Sequence, residues 1–475
     1  MDLNLGIVLW ICGGVFFFLC TLYYMFELIP AYIRQRNSYV GNAPSYRRIL
    51  EFLDSSNMKF PTIKFQITTR GNETHVVKRG IKSIVEVAKS HQIVGRSIEL
   101  LVVTENPTEI KEFTDYITEM DVLLNKKVIN VPNTYTTTKG TLLKARSLQF
   151  SLEYRKQNGV MKTNNNPQFI FYFDAESTIS VEDFRRVIYS IISNPNKKIF
   201  EGPIVYPHRY FESGLISRQM EASRPFGCYH CAQVMKNPPP LHLHGSNLLV
   251  EEHLANEIGW DFGTVKNRPL LAEDLMFGLK AYSQFGSSIF GWHGGMILEQ
   301  PPFSLRESIN ARLRWITGAW QALILLKLLP SFQSLSFQKR FWILFRIRIR
   351  ILTHSLSFLT SFFISITLLL FLFPPLSSLL QINPESVSSN FRYFQLLMTL
   401  FVFLPGTFLW FFGILNGLSK NVNPLKLSRK QKIAEYFKII LISPAAGAIE
   451  SFSAFYATLR WLIGKPYANW YVTSK

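Results

Sequence analysis

The stretch that decides the fold is Gln168-Phe-Ile-Phe-Tyr-Phe-Asp174-Ala-Glu176, an apolar run that ends in two acids separated by one residue. Such a run is typical of a strand buried on both faces of a parallel sheet. Open α/β sheets bind their ligands at the carboxyl ends of these strands. Two carboxylates at that edge could hold a divalent cation, and the cation could hold a diphosphate. Alternatively, Asp174 only caps a helix that begins near Ser180.

The composition favours an anionic partner. The chain has 475 residues, and 51 Lys and Arg against 32 Asp and Glu give a formal net charge of +19. Nucleic acid, a phospholipid surface and a nucleotide-diphosphate substrate would all suit that charge. Because the sequence has several long apolar segments and no nucleic-acid-binding motif, we expect membrane lipids and a nucleotide substrate, and no nucleic acid. Four cysteines are too few for a disulfide framework in this chain, which favours a reducing compartment.

Residues 1–30 predict a membrane anchor. Within them, residues 6–29 are almost entirely apolar and long enough for a hydrocarbon core of about 30 Å. A cleavable signal peptide is disfavoured, since the segment lacks a basic start and is longer than a typical signal core. Several arginines follow in the linker, residues 31–60, so the positive-inside rule places the next part of the chain in the cytoplasm.

The C-terminal part predicts further membrane helices. Residues 301–350 combine apolar residues with interspersed arginines, a pattern typical of amphipathic helices at a lipid headgroup layer. The region 351–463 contains two predicted spans, at 351–373 and 394–418. It also contains an apolar segment at 436–463, which is broken by a proline and could span or lie at the interface. These segments predict a multi-pass membrane protein with a catalytic domain that faces the cytoplasm.

Residues 61–300 alternate short apolar strands with amphipathic helices, which predicts an α/β catalytic domain. The predicted strands are 64–69, 98–104, 127–131, 169–173 and 199–206, and the predicted helices include 74–89 and 142–156.

Polar residues at strand ends and helix starts are candidates for binding. Thr69 and Arg70 end the first strand, where they could contact a nucleotide, although an ordinary turn explains them equally well. Glu105 ends the second strand and could accept a hydrogen bond from a base, but a solvated acid is as common there. Lys139 precedes a predicted helix start, which is a favourable place for phosphate, although surface lysines are common.

Two further motifs are candidates for catalysis. Glu273 and Asp274 form a second acidic pair at a predicted helix start, where Asp274 could take a proton from an attacking hydroxyl or simply cap the helix. Arg314 and Trp315 end the motif Arg-Leu-Arg-Trp, which offers a guanidinium for phosphate and an aromatic face for a sugar ring. A membrane-surface helix with Arg and Trp anchors is the alternative.

A zinc site is a weaker hypothesis. Cys228, Cys231, His242 and His244 supply two soft ligands and two imidazoles. The histidines do not have zinc-finger spacing and the cysteines fall in a predicted helix, so we do not expect zinc here.

The order of these motifs resembles the membrane-integrated family 2 glycosyltransferases, such as the cellulose, chitin and hyaluronan synthases. The resemblance is greatest to the egghead-type β-1,4-mannosyltransferases, and it extends from about residue 60 to 320 and returns at the C-terminus. The segments that carry it are Thr69-Arg70-Gly71, Val102-Val103-Thr104, Lys139-Gly140 with Lys144-Ala145-Arg146, Asp174-Ala175-Glu176, His244-Gly245-Ser246-Asn247, Ala272-Glu273-Asp274 and Pro302-Phe303-Ser304.

The resemblance implies an α/β GT-A-like glycosyltransferase domain, inversion at the anomeric carbon and a divalent metal, Mg²⁺ or Mn²⁺. Asp174 and Glu176 would hold the metal and the donor diphosphate, and Glu105 would lie near the base of the donor. Asp274 would act as the general base, with Glu273 as the other acid of the catalytic pair.

The same resemblance assigns the remaining site residues. Thr69 and Arg70 would bind the donor, Lys139 and Arg314 would stabilise its diphosphate, and Trp315 would border the acceptor. Residues 464–475 resemble the gating loop of the synthases, so Lys475 would reach the nucleotide. A cytoplasmic C-terminus would follow, and the apolar segment before it would then not be a simple span.

Two departures from the family pattern stand out. Ala311 occupies the position of the glutamine in the usual Gln-x-x-Arg-Trp motif, and the acid pair is Asp-Ala-Glu instead of Asp-x-Asp. The first puts in doubt whatever the glutamine amide contributes. The second adds one methylene between the backbone and a metal-ligating carboxylate.

We expect an inverting transferase that moves a sugar from a nucleotide-diphosphate donor, with GDP-mannose favoured, to a lipid-linked or glycan acceptor. One alternative is a processive polysaccharide synthase that uses a UDP-sugar; self-association into a homo-oligomer could supply the helices that a secretion channel needs. An alternative from another class is a non-catalytic membrane scaffold or transporter.

Overall fold

The computed structural model describes residues 5–41, 43–71, 74–90, 97–123, 125–158, 167–235, 243–372 and 404–467. The strands are β1 (Thr62–Thr69), β2 (Ile98–Thr104), β3 (Asn125–Asn130), β4 (Gln168–Asp174), β5 (Thr178–Ile179), β6 (Ile199–Glu201), β7 (Ile204–Val205), β8 (Leu248–Glu251), β9 (Thr264–Val265), β10 (Arg268–Pro269), β11 (Phe290–Trp292) and β12 (Ile297–Leu298).

Helices surround these strands. The α-helices are Leu5–Tyr23, Ile29–Gln35, Tyr46–Ser55, Thr74–Lys89, Glu109–Thr118, Leu143–Gln157, Val181–Ser193, Leu215–Ala222, Arg224–Val234, Glu252–Ile258, Glu273–Phe285, Leu305–Leu328, Pro330–Gln333, Phe337–Leu372, Leu404–Val422 and Arg429–Leu462. A π-helical turn, Tyr24–Leu28, joins the first two helices.

The main sheet has seven strands in the order β11-β6-β8-β4-β1-β2-β3. β1 lies parallel to both neighbours, with Thr69 opposite Thr104 of β2 and Thr68 opposite Asp174 of β4. β8 runs antiparallel to β4, and its first residue, Leu248, is opposite Tyr172. The carboxyl ends of β1, β2 and β4 and the start of β8 therefore meet at one edge of the sheet.

The central strand is buried on both faces, as its sequence predicts. Phe169, Phe171 and Phe173 point into the core formed with the helices Thr74–Lys89 and Val181–Ser193. Ile170 and Tyr172 point into a second core on the opposite face. Each large apolar side chain buried in this way stabilises the fold by about 1.5–3 kcal/mol. Because both faces of β4 are covered, the strand holds its terminal acid, Asp174, in a fixed position at the edge of the sheet.

The predicted strand at 199–206 is wrong in one respect, because it is two strands. β6 ends at Glu201 and β7 begins at Ile204, with Gly202-Pro203 between them. A proline has no N–H to donate to a ladder. A Cβ on residue 202 would lie 2.5 Å from the Gly295 carbonyl oxygen, so only glycine allows this close approach. The chain leaves the main sheet here, and β7 joins β12 and β5 in a smaller sheet.

The C-terminal helices are more continuous than predicted. The helix Phe337–Leu372 runs without a break across the expected boundary between interfacial and spanning segments at residues 350 and 351. The helix Arg429–Leu462 continues through Pro444. In the described part of the chain, two helices are long and apolar enough to cross a membrane, Cys12–Gln35 and Arg429–Leu462. Part of the predicted span 394–418, and Lys475 in the predicted gating loop, lie outside the described residues.

A buried charge network joins the sheet to the helix Leu143–Gln157. The Lys64 ammonium on β1 pairs with Glu252, and the Arg155 Nε lies 3.4 Å from the other Glu252 oxygen. Arg155 also donates a 2.6 Å hydrogen bond to Gln66. The side chains of all three charged residues are about 4% exposed, so each charge depends on its partners.

The change Glu252→Gln is expected to destabilise the protein by about 3 kcal/mol, because the buried Lys64 and Arg155 would lose their nearest counter-charge and keep only Glu99, which lies 4.0 Å from Lys64. The thermal unfolding midpoint of the purified protein measures the effect. Glu257→Gln, at the exposed end of the same helix, is the matched control and should leave the midpoint unchanged. Equal midpoints for the two variants would contradict the prediction.

Candidate active site

The first part of the site lies at the ends of β1 and β2. The Thr69 hydroxyl accepts a 3.1 Å hydrogen bond from the Gly71 N–H, which shapes the turn after β1. Glu105 follows β2 and accepts a 2.5 Å hydrogen bond from the Ser147 hydroxyl. The Arg70 guanidinium lies 3.6 Å from the other Glu105 oxygen. The structure thus brings together three residues that the sequence singles out, Thr69, Arg70 and Glu105.

Lys144 is the cation at the centre of the site. Its ammonium pairs with Asp174 at the end of β4 and donates a 3.2 Å hydrogen bond to the Gly245 carbonyl. Burial lowers the pKa of Lys144, but the carboxylates of Asp174, Glu273 and Asp274 outweigh burial and raise it. The ammonium therefore stays charged at neutral pH.

Lys139, the lysine that the sequence singles out, lies elsewhere. Its side chain is exposed, and its backbone N–H donates a 2.9 Å hydrogen bond to Asp261. The helix begins at Leu143, so Lys139 lies in the loop before the helix and not at its start. Asp261 also accepts a bond from the Thr137 hydroxyl, so Lys139 is part of a folded turn. The lysine in the first turn of the helix, Lys144, is therefore the one that reaches the strand ends.

Asp274 is the second residue of the helix Glu273–Phe285 and interacts with the same ammonium. A Cβ on Gly245 would lie 3.1 Å from Asp274 Oδ2 and 3.2 Å from Lys144 Nζ, so glycine permits this convergence. Burial and the neighbouring Glu273 raise the pKa of Asp274 to about 7, against the lowering effect of the Leu275 N–H, Lys144 and His244. A carboxylate with a pKa near 7 is well suited to take up a proton at neutral pH.

Glu299 is a site residue that sequence reasoning missed. It follows the two-residue strand β12, is 6% exposed and accepts a 2.9 Å hydrogen bond from the Ser177 hydroxyl. Burial and the charges of Glu176 and Asp174 raise its pKa to about 7. The only local signal is an acid directly after an apolar pair and before Gln300-Pro301-Pro302. Its position beside Asp174 depends on pairings that are remote in sequence.

The acids around Asp174 fit a hard cation better than they fit zinc. Asp174, Glu176 and Glu299 offer carboxylate oxygens, which Mg²⁺ and Mn²⁺ prefer. Their mutual repulsion, visible in the raised pKa of Glu299, would be relieved by a positive ion. In the described part of the chain, no three His, Cys, Asp or Glu side chains are arranged as a ready-made metal site. A cation there would need further oxygen ligands from a bound molecule.

The Arg-Leu-Arg-Trp motif combines a buried ion-pairing arginine with side chains that line the central cavity. The Arg312 guanidinium is buried and donates to Glu221 at 2.6 Å and to Glu450 at 3.0 Å. It thereby ties the helix Leu305–Leu328 to two neighbouring helices. The Trp315 ring lies 4.5 Å from the Arg224 guanidinium and 4.9 Å from that of Arg312. Arg314 and Trp315 both line the central cavity.

One cavity of about 720 Å³ connects these groups. At the sheet edge it is lined by Arg70, Lys144, Asp174, Glu176, Glu273, Asp274 and Glu299. It continues between the C-terminal helices and the N-terminal helix, where its wall includes Thr21, Arg350, His354, Trp410, Glu450 and Ser451. The cavity is therefore acidic at the sheet edge and carries both polar and apolar side chains between the helices.

The chain is similar to known glycosyltransferases. The sequence profile described as "Glycosyl transferase family group 2" matches residues 169–414, just over half of the chain. The Drosophila melanogaster β-1,4-mannosyltransferase egh is 24% identical over 268 residues, which are 56% of this chain and 54% of that protein. The chain thus spans about half the length of this curated relative. The crystal structure of S. aureus TarS 1–349 matches 84% of this chain and 92% of that one, at 11% identity and a TM-score of 0.32.

The change Gly202→Ala is expected to destabilise the protein by about 1–3 kcal/mol, because a methyl group would collide with the Gly295 carbonyl and the His293 ring. The matched control is Gly227→Ala, in the helix Arg224–Val234, where a Cβ would meet no atom within 4 Å. That variant should be neutral or stabilised by up to about 1 kcal/mol. Thermal unfolding of both variants checks the prediction, which fails if Gly202→Ala is as stable as the control.

Proposed function

The chain belongs to the glycosyl transferase family group 2, and we propose that it transfers mannose from GDP-mannose to a hydroxyl of a glycolipid acceptor, with inversion. Membership confirms the family resemblance found in the sequence and, with the seven-stranded sheet, the α/β GT-A-like fold class. The protein is an enzyme of the glycosyltransferase class, and its family implies a nucleotide-sugar donor and a glycan acceptor.

The observation that carries the proposal is the convergence of Asp174 and Asp274 on Lys144 in one cavity. Inverting transfer needs a base on one side of the sugar and charge stabilisation for the leaving diphosphate on the other. Asp274, with its pKa near 7, is suited to the first role. Lys144 and Arg314 would serve the second, since each brings a positive charge to the cavity wall.

The donor would lie along the sheet edge. Thr69, Arg70 and Glu105 would contact its nucleoside, and the diphosphate would approach Asp174 and Glu176. A Mg²⁺ or Mn²⁺ ion held by Asp174 and Glu176, with Glu299 beside them, would offset the negative charge of the leaving diphosphate. The Ser177 hydroxyl donates a hydrogen bond to Glu299 and fixes this carboxylate. Glu299 would in turn help to orient Asp174 and Glu176.

The acceptor would approach from the helical side. Trp315 presents an aromatic ring to the cavity, and aromatic faces pack well against sugar rings. Asp274 would remove the proton from the attacking hydroxyl as the new glycosidic bond forms and the bond to the diphosphate breaks. The buried Arg312, which also lines the cavity, would keep Trp315 in place.

The sugar is assigned through the relative. The D. melanogaster protein is named a β-1,4-mannosyltransferase, which favours GDP-mannose over a UDP-sugar. A processive polysaccharide synthase is the second candidate, favoured by the continuation of the cavity between the helices. A non-catalytic scaffold or transporter would not need two carboxylates with pKa values near 7 in one cavity.

A membrane setting would suit this acceptor. Two helices have the length and composition of membrane spans, and both contribute residues to the cavity wall. Two spans would make a multi-pass protein, and the arginines that follow the first helix favour a catalytic domain in the cytoplasm. A lipid-linked acceptor could then present its sugar to Trp315 from the membrane side.

Release of nucleotide diphosphate is expected with GDP-mannose and Mn²⁺ or Mg²⁺ in a panel of GDP- and UDP-sugars, and Asp274→Asn should lower it by about 10²–10⁴-fold. Assays use the purified full chain with a glycolipid acceptor. Asp54→Asn, an exposed aspartate on the helix Tyr46–Ser55, is the matched control and should retain full activity. A chelator should abolish release, and added metal should restore it. Equal rates for Asp274→Asn and the control would refute the role of the base.

The rate is expected to rise with pH through about 7, because Asp274 acts only when it is deprotonated and its pKa is about 7. Glu273→Gln should move this rise to lower pH, since the Glu273 charge raises the pKa of Asp274. The measurement is kcat/KM against pH for both proteins, with Glu257→Gln as the control. A shift to higher pH in Glu273→Gln, or no shift, would contradict the assignment.

A further inference from the structure

Two cysteines form a dithiol in the cavity wall. Cys228 and Cys231 lie three residues apart on the helix Arg224–Val234, so both side chains are on one helix face. Both residues line the central cavity, and the Cys231 thiol donates a hydrogen bond to the Cys228 sulfur. Neither is in a disulfide. The transfer chemistry proposed above uses neither of them.

A charged histidine lies beside this dithiol. His244 is 9% exposed, and its Nδ1 lies 3.0 Å from Glu201 Oε1. Burial lowers the pKa of His244, but the charges of Glu201 and Cys228 outweigh burial and raise it to about 9. The other carboxylate oxygen of Glu201 is buried and has no hydrogen-bond partner in the described residues. The imidazole therefore lies against the Glu201 carboxylate and is close enough to the Cys228 sulfur to interact with its charge.

These neighbours activate Cys228. The hydrogen bond from Cys231 lowers the pKa of Cys228 to about 6, with help from His244 and the Ile204 N–H and against the effect of burial. Cys228 is then mainly a thiolate at neutral pH, and the thiolate is the nucleophilic form of cysteine. The cavity gives a small molecule access to a sulfur that the helix otherwise covers.

We propose that Cys228 and Cys231 are a thiol modification site, at which a small-molecule disulfide oxidises the pair to an intramolecular disulfide. The Cys228 thiolate attacks one sulfur of the small disulfide, which forms a mixed disulfide and releases one thiolate. Cys231 then loses its proton to solvent and displaces the second thiolate, closing the Cys228–Cys231 bond. Two electrons pass from the cysteine pair to the small disulfide, which leaves as two thiols.

Oxidation would change the active site through His244. The disulfide removes the thiolate that faces the imidazolium, and His244 is followed by Gly245, whose carbonyl accepts from Lys144. Helical Cβ atoms three residues apart are about 5–6 Å from each other, whereas a disulfide needs about 3.5–4.5 Å. Closing the bond must therefore tighten this helix turn, which makes the disulfide easy to reduce.

The test treats the purified full chain with oxidised glutathione and maps disulfides by proteolysis and mass spectrometry. We expect a peptide containing a Cys228–Cys231 bond, which dithiothreitol reverses. The variant Cys231→Ser should stop at a glutathione adduct on Cys228, because the second thiol is missing. Cys20→Ser, on the N-terminal helix, is the matched control and should still form the bond.

Two results would overturn the proposal. One is modification of Cys228 no faster than that of Cys12, an exposed cysteine on the N-terminal helix. The other is zinc that co-purifies with the protein and is lost in Cys228→Ser. The disulfide mapping does not depend on glycosyltransferase activity, so it tests the proposal whether or not a donor sugar has been found. With an active donor, oxidation should lower diphosphate release in the wild type, reversibly, and leave Cys228→Ser at its unoxidised rate.

Discussion

A surplus of negative charge around one buried ammonium is the constraint on which the site depends. Lys144 faces Asp174, Glu273 and Asp274, and Glu176 and Glu299 lie close by. Burial and repulsion from the neighbouring carboxylates outweigh the nearby positive charges, which is why the pKa values of Asp274 and Glu299 are raised to about 7. The same surplus makes the site receptive to a divalent cation. This charge surplus would thus link the proposed base to the proposed metal.

The sheet brings these carboxylates together, and the surrounding helices enclose them. Two parallel pairings and one antiparallel pairing bring β1, β4 and β8 to one edge, where Asp174 and the loop before Leu248 meet. The buried Arg312, bound to Glu221 and Glu450, then holds the helical wall against that edge. Breaking a buried ion pair costs several kcal/mol. The positions of Trp315 and Asp274 in one cavity therefore depend on packing that lies outside the sheet.

The sequence alone predicts those features of the site that depend on residues close together in the chain. The apolar run before Asp174 predicts a buried strand, and the structure places that acid at its end. Sequence reasoning fails for residues whose place in the site depends on contacts between distant parts of the chain or on the direction of the side chain. Lys139 is exposed in a turn while Lys144 reaches the acids, because the helix begins at Leu143. Glu299 comes to Asp174 through the small sheet of β5, β7 and β12, whose strands are too short to have a periodic signal.

The shape of the cavity would suit the inverting transfer that we propose. In such a reaction the nucleophile and the leaving group occupy opposite faces of the sugar, so donor and acceptor must approach from different sides. The cavity meets this requirement, since its acidic end lies at the sheet edge and its other end lies between helices. Asp274 lies in the first turn of the helix Glu273–Phe285, and both Asp274 and Asp174 interact with Lys144. In the proposed reaction Asp274 would take up the acceptor proton while Lys144 offsets the charge that develops on the diphosphate, so the same ammonium would interact with the base and with the leaving group.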